Sequence, residues 1–213
     1  MHPLEALEMQ VSQCRRCDLR DQAHGVVFGE GALDSHIVFC GEGPGAEEDR
    51  LLRPFVGAAG HLLDKMLDAM GFSRGKNAYI LNVVKCRPPG NRVPLPQELA
   101  ACRPHLAAQL SILSPRIMVL LGSTAIQSFL GPQARVTRVH GQWTEHQGIW
   151  LMPTYHPAAL LRNPSWKVEA WSDLKKVIDK YRELVDPDHF STHYPLKISD
   201  KNLPPGTIKP QCR

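Results

Sequence analysis

Two pairs of cysteines, and a set of polar residues placed beside glycine or proline, carry the chemistry this sequence could perform. Cys14-x2-Cys17 lies near the start, and Cys86-x15-Cys102 brackets a basic, proline-containing stretch. In a reducing compartment, thiols so spaced point to a metal or to catalysis rather than to a disulfide framework. Four thiolates suit either tetrahedral zinc or an iron–sulfur cluster, and the wide second gap departs from the two short knuckles of a zinc ribbon without deciding between them. Cys40 and Cys212 read as structural or incidental. The second set opens with Ile37-Val-Phe-Cys-Gly-Glu-Gly-Pro-Gly-Ala-Glu-Glu-Asp49, an apolar run that turns into glycines and four carboxylates. Asn82 with Lys85, Gly122-Ser123 and Tyr155-His156-Pro157 follow three other apolar runs. Glycines let a backbone approach a ligand closely, and the acids and histidine are candidates for proton and charge work.

The elements that must position these residues are legible as strands and helices in alternation. Strand-length apolar runs cover 36–40, 78–83, 117–121 and 149–152. Apolar residues at helical spacing cover 60–70, 96–113, 123–129 and 166–184. This alternation implies βαβ units, right-handed crossovers and a parallel sheet covered on both faces. In such sheets ligands bind at the carboxyl ends of the strands. All four polar loops would therefore face one crevice. One domain over residues 1–185 is expected, with 186–213 a polar, proline-broken, flexible tail.

The chain has 213 residues, of which 43% are hydrophobic and 22% charged, enough for one core. No run approaches a membrane span, and the start lacks the basic and apolar regions of a secretion signal, so the expected setting is the cytoplasm with no membrane partner. Net charge is only +4, yet between Ala69 and Thr144 the single acid Glu98 faces nine basic residues. Those nine are Arg74, Lys76, Lys85, Arg87, Arg92, Arg103, Arg116, Arg135 and Arg138. Such a block suits a phosphate-bearing partner.

Taken together, these motifs resemble the family 4 uracil-DNA glycosylases, the iron–sulfur group of that superfamily. The resemblance rests on Cys-x2-Cys at 14 and 17, Gly-Glu-Gly-Pro-Gly at 41–45 and Arg-Pro-Phe-Val-Gly at 53–57. It continues through Leu-Asn-Val-Val-Lys-Cys-Arg-Pro-Pro at 81–89, Cys102 and His-Pro-Ala-Ala-Leu at 156–160, in order from 14 to about 184. It implies a three-layer α/β/α fold around a four-stranded parallel sheet, a 4Fe-4S cluster on Cys14, Cys17, Cys86 and Cys102, and excision of uracil from single- or double-stranded DNA by a monomer.

The resemblance also assigns roles. Phe55 stacks on a flipped uracil, and Asn82 reads its N3-H and O4, a pattern cytosine reverses. His156 near O2 stabilises the leaving anion, helped by backbone N–H groups around Gly41 and Gly43. Glu42 orients water, because Gly43 stands where better-known uracil-excising families carry an aspartate. Gly45 replaces their thymine-excluding tyrosine, a task assigned to Glu47. Glu48 and Asp49 are read as helix N-terminal acids. Leu160 is the wedge that enters the duplex, while Lys85, Arg87 and Arg162 meet phosphate. Two rival readings are a glycosylase for another deaminated base and a non-catalytic DNA-binding module, including covalent uracil-trapping relatives. Glu42 argues against a subgroup of the first, and the absence of histidine between Cys86 and Cys102 argues against the trapping relatives.

Overall fold

The computed structural model describes residues 1–196. In chain order it forms α1 (Pro3–Ser12), α2 (Leu19–Gln22), β1 (Glu30–Gly31), β2 (Ile37–Gly41), α3 (Ala46–Leu51), α4 (Ala58–Met70), β3 (Tyr79–Asn82) and α5 (Pro96–Leu113). There follow β4 (Ile117–Leu121), α6 (Ser123–Leu130), α7 (Val136–Val139), β5 (Thr144–His146), β6 (Ile149–Thr154), α8 (Pro157–Arg162) and α9 (Lys167–Leu184).

Strands β2, β3, β4 and β6 run parallel and are buried for most of their length, as their unbroken apolar runs require. The full sheet is β1-β3-β2-β4-β6-β5, six strands and mixed. This corrects the expectation of a purely parallel four-stranded sheet. Both added strands are short, lie at the edges and pair antiparallel. The β5–β6 hairpin turns through Gln147 and Gly148, whose φ angles of +52° and +80° suit a tight two-residue loop.

Alternate side chains of the parallel strands feed two cores. Ile37, Phe39, Ile80, Ile117, Val119 and Leu121 pack with Leu63 and Leu67 of α4 and Leu174, Val177 and Ile178 of α9. Val38, Cys40, Leu81, Met118 and Leu120 pack on the other face with Leu4 and Val11 of α1, Leu106 of α5 and Ile126 of α6. Cys40 is thus a core residue. Residues 186–196, expected as the start of a loose tail, are bound to the body instead. His189 hydrogen-bonds Met70 O at 2.8 Å and stacks on Phe72, while Ser191 Oγ donates to Ala69 O. The remainder of that segment, with Cys212, lies outside the described residues.

Candidate active site and cysteine cavity

The chain leaves β2 for β3 on one side and returns across it to β4 on the other. The carboxyl ends of β2 and β4 are therefore the point where strand order reverses, the usual place for a ligand crevice. Glu42 follows β2 and Thr124 opens α6 after β4, and the Thr124 hydroxyl donates to Glu42 Oε2. This bond fixes a half-buried carboxylate just past the carboxyl end of β2. Val84 N–H donates to Glu42 O and Val83 N–H to Gly41 O, continuing the parallel ladder past the strand ends. Gly41 has no room for a side chain: a Cβ there would lie 2.5 Å from Asn82 Oδ1 and 2.5 Å from the Phe55 ring. At Gly43 a Cβ would meet Val84 Cγ2 at 2.7 Å. Gly41 is thus required by close packing of Asn82 and Phe55, the residues assigned to base recognition, and Gly43 by the approach of Val84.

Asn82 ends β3 and is 2% exposed. Its Oδ1 has no hydrogen-bond partner among the described residues. A buried amide oxygen left alone costs about 1–3 kcal/mol, so an acceptor of this kind is held for something that donates to it.

Phe55 adopts φ +54°, an outlying conformation for an aromatic residue, and two charged groups hold it there. From the carbonyl side, Arg74 donates to Pro54 O and, at 2.5 Å, to Phe55 O. Arg74 is in turn tied to Asp64 at 2.8 Å. From the other side, Glu48 Oε1 accepts from Val56 N and Gly57 N, both at 2.9 Å, while its Oε2 accepts from Gly45 N at 3.1 Å. A Cβ on Gly45 would lie 2.7 Å from Glu48 Oε2. The Glu48 carboxylate therefore fills the space that a side chain at 45 would take. Glu47, assigned to the pocket from sequence, instead points outward and pairs with Arg50 at 2.7 Å, which holds its carboxyl below the usual range. Asp49, read as a helix-end acid, is buried and accepts from the His24 backbone N–H at 2.9 Å, with the His24 ring at 2.7 Å.

His156 stacks on Phe55, centroids 5.5 Å apart at 28°. It is the N-cap of α8, and its Nδ1 accepts from Ala158 N at 3.1 Å. That bond requires an unprotonated Nδ1, which leaves the proton of the neutral ring on Nε2. Burial, reinforced by the Arg162 charge and opposed by Glu48, pushes the imidazole down to about 4. At neutral pH His156 is an uncharged donor.

Two residues assigned to DNA from sequence are buried instead. Lys85 is 2% exposed and donates from Nζ to Asn82 O at 2.8 Å, so it cannot meet a phosphate. Burial pushes its ammonium down to about 8. Leu160 is also 2% exposed, packed with Tyr155 and Ala170, because it lies on the inner face of α8. The leucine that faces solvent is Leu161, 45% exposed, beside exposed Arg162. Arg87 remains accessible, its Nε anchored on Asn91 at 2.7 Å. Two further members of the basic block are consumed internally: Arg74 on the Phe55 loop, and Arg92 on Glu98 at 2.6 Å.

Cys14, Cys17, Cys86 and Cys102 line one small, partly open cavity with Lys85 and His105. His105 Nε2 lies 3.1 Å from Cys14 Sγ. Among the described residues no three His, Cys, Asp or Glu side chains converge tightly enough for a single ion, so the sulfurs are spread over the cavity wall. Burial, then the neighbouring Cys102 and Cys17 sulfurs, pushes the Cys86 thiol up to about 12, and Cys102 rises for the same leading reason. Four thiolates here require positive charge among them, which fits an iron-bearing group larger than one ion.

Residues 28–175 match the family model described as the uracil DNA glycosylase superfamily. A type-4 uracil-DNA glycosylase of Thermotoga maritima is 48% identical over 164 residues, covering 76% of this chain and 85% of that protein. One from Sulfurisphaera tokodaii is 40% identical, covering 91% and 90% respectively. A type-5 uracil-DNA glycosylase of Thermus thermophilus is 34% identical over 61% of this chain and 68% of its own. The reversal of strand order beside Glu42 and these matches agree, and the chain belongs to the uracil-DNA glycosylase superfamily.

Proposed function

We propose that this protein is a uracil-DNA glycosylase of DNA repair, which flips uracil from DNA and hydrolyses its N-glycosidic bond to leave an abasic site. The observation that carries the reading is the unpartnered, buried Oδ1 of Asn82 beside Phe55 and Gly41. Uracil N3-H supplies the missing donor, whereas cytosine presents an acceptor at N3 and leaves the oxygen orphaned. Phe55, with its backbone held on both sides, stacks on the base. Glu48 fills the space beside Gly45, which supports a role in excluding the thymine methyl.

As the bond between C1′ and N1 breaks, its electron pair goes to uracil, where charge collects on O2. The Nε2 proton of neutral His156 donates to that oxygen, a preset dipole that needs no proton transfer. Water adds to C1′ and gives its proton to Glu42, which the Thr124 hydroxyl holds in place. In this reading Cys14, Cys17, Cys86 and Cys102 would hold a 4Fe-4S cluster, which would brace the N-terminal segment against α5 and supply no step of the hydrolysis. Exposed Leu161 and Arg162, with Arg87, are placed to meet DNA in this scheme.

Incubation with a single-stranded oligonucleotide containing one uracil should release free uracil and leave an alkali-labile site. A denaturation-resistant adduct without free uracil would instead identify a covalent trapping protein.

A further inference from the structure

The segment 87–95 lies between the carboxyl side of β3 and the start of α5 and forms a braced loop. Two buried prolines, Pro88 and Pro94, are its feet. Pro88 stands against the loop that carries Glu42: its Cδ lies 3.8 Å from where a Cβ on Gly43 would be. Between the feet the chain turns sharply, with Gly90 and Asn91 both in the left-handed region at φ +60° and +56°. Asn91 N–H donates to Pro88 O at 3.0 Å and Arg92 N–H to Pro89 O at 3.2 Å, which closes the turn.

The polar side chains of the loop brace it from within. Arg87 Nε donates to Asn91 Oδ1 at 2.7 Å. Arg92 donates to both oxygens of buried Glu98, at 2.6 and 2.8 Å, and Glu98 Oε2 also accepts from Leu95 N at 2.7 Å. The loop is thus shaped in advance, and two apolar side chains face water from it: Val93 is 63% exposed and Leu95 41%. Leu95 is the N-cap of α5 and its side chain makes no capping bond, although Ser, Thr, Asp or Asn there would favour the helix. A rigid loop that exposes valine and leucine, the latter against local helix preference, is a contact surface.

The neighbouring charge identifies the partner. Glu98 is the single acid between Ala69 and Thr144, and Arg92 neutralises it in place. Arg87 gives only its Nε to the loop among the described residues. The surface therefore offers positive charge beside apolar groups, next to the loop of Glu42. A DNA strand complements both, with phosphates on one side and the apolar faces of unstacked bases on the other.

We propose that the 87–95 loop is a second DNA-binding element, in which Val93 and Leu95 rest on a base flanking the uracil while Arg87 meets a phosphate of the same strand. This rests on the uracil-excising reading and adds that the enzyme grips a neighbour of its target as well as the target. Every base has an apolar face, so the contact tolerates any flanking sequence. It is fullest where the neighbour is unpaired, and so favours single-stranded DNA.

The test uses full-length, iron-loaded protein and the double variant Val93→Ser/Leu95→Ser, in which serine at position 95 is a favourable N-cap. The probe is a single-stranded oligonucleotide carrying one 2′-fluoro-2′-deoxyuridine, which resists base loss. It is used intact or with an abasic spacer replacing the base on the 5′ or the 3′ side. The unmodified protein should bind roughly tenfold more weakly when one of the two neighbours is a spacer. The double variant should bind the intact strand roughly tenfold more weakly and lose nothing further with that spacer, which ties the two side chains to that base. Arg87→Gln should lower the slope of log affinity against log salt by about 0.7, whereas the double variant should leave it unchanged. Wild-type affinity of the double variant for the intact strand, or spacer losses that add to its own, overturns the proposal. If that variant does not fold, an unmodified protein indifferent to spacers on both sides overturns it. An unmodified protein that releases no uracil from an ordinary uracil strand defeats the underlying reading, a result distinct from these.

Discussion

Two histidines sit near the carboxyl end of β6 and are treated in opposite ways. His156 lies two residues past the strand, is given a backbone N–H at Nδ1, and is driven towards the neutral form by burial and Arg162. His140 packs against Tyr155 from the side and is given carboxylates. Its Nδ1 lies 3.1 Å from Asp173 Oδ2, and its Nε2 lies 3.9 Å from Glu169 Oε2. Asp173 also accepts from Thr154 Oγ1 at 2.8 Å, and Tyr155 OH donates to Glu169 at 2.6 Å. The acids of α9 therefore pin the two residues that precede His156 while staying out of its hydrogen bonds. A carboxylate on His156 would favour imidazolium and alter the tautomer. Placed on Thr154 and Tyr155 instead, the carboxylates order the strand end and leave the His156 ring uncharged.

His156→Ala should separate the two rings most widely. Single-turnover uracil release should fall by roughly 10³-fold, with binding to uracil-containing DNA changed far less. An equal loss on His140→Ala would erase the distinction. The same ring gives a pH signature. Because its folded value is about 4 against an ordinary 6.5, the folded state takes up its proton later than the unfolded chain. Its neutral form should therefore persist down to about pH 5. Its contribution to stability is fully present above pH 6.5 and should decline as pH falls towards 4, at up to about 1.4 kcal/mol per unit. Denaturant midpoints over that range test this.

Glu42→Gln comes next, with an expected loss of roughly 10²-fold in single-turnover rate. Near-normal rates would pass the water-orienting role to another group. Arg74→Met sharpens the comparison from the Phe55 side, since it releases two carbonyls that keep an aromatic residue at positive φ. A loss of roughly tenfold in kcat/KM is expected, with DNA affinity nearly unchanged. Asp173→Asn should have the smallest catalytic effect, within a few-fold, but should lower stability by about 1–3 kcal/mol because it weakens a buried network. A larger fall in rate than in stability would show that α9 acts on His156 more directly than through Thr154 and Tyr155.

The four central strands and the longer helices were readable because their apolar spacing is set by burial, which the sequence displays directly. The edge strands were not. β1 has two residues, β5 has three exposed ones, and the only local signal was the Gln147-Gly148 turn. Within the site, Gly41, Asn82, Phe55 and His156 converge as their motifs implied. The errors share a cause, which is that spacing in a motif does not reveal which face of a short element a side chain takes. Glu47 and Glu48 are neighbours, yet one turns outward to Arg50 and the other inward to three backbone N–H groups. Leu160 and Leu161 divide in the same way on α8. Lys85 misled for a different reason: charge was taken as a sign of exposure, and a buried ammonium bonded to a local carbonyl has no signature in composition.

The contact between His105 and Cys14 spans 91 positions, and α1 rests on α5. During synthesis at about 5–20 residues per second, the N-terminal arm emerges on the order of ten seconds before the helix that receives it. In that interval α1 has only Leu4 and Val11 as fully buried anchors to offer, and no surface on which to set them. The sheet strand that follows, β2, likewise waits for β3 and then β4 on either side. The N-terminal segment is thus among the last to dock, and until residue 86 has been made only two of the four thiols that line the cavity, Cys14 and Cys17, exist.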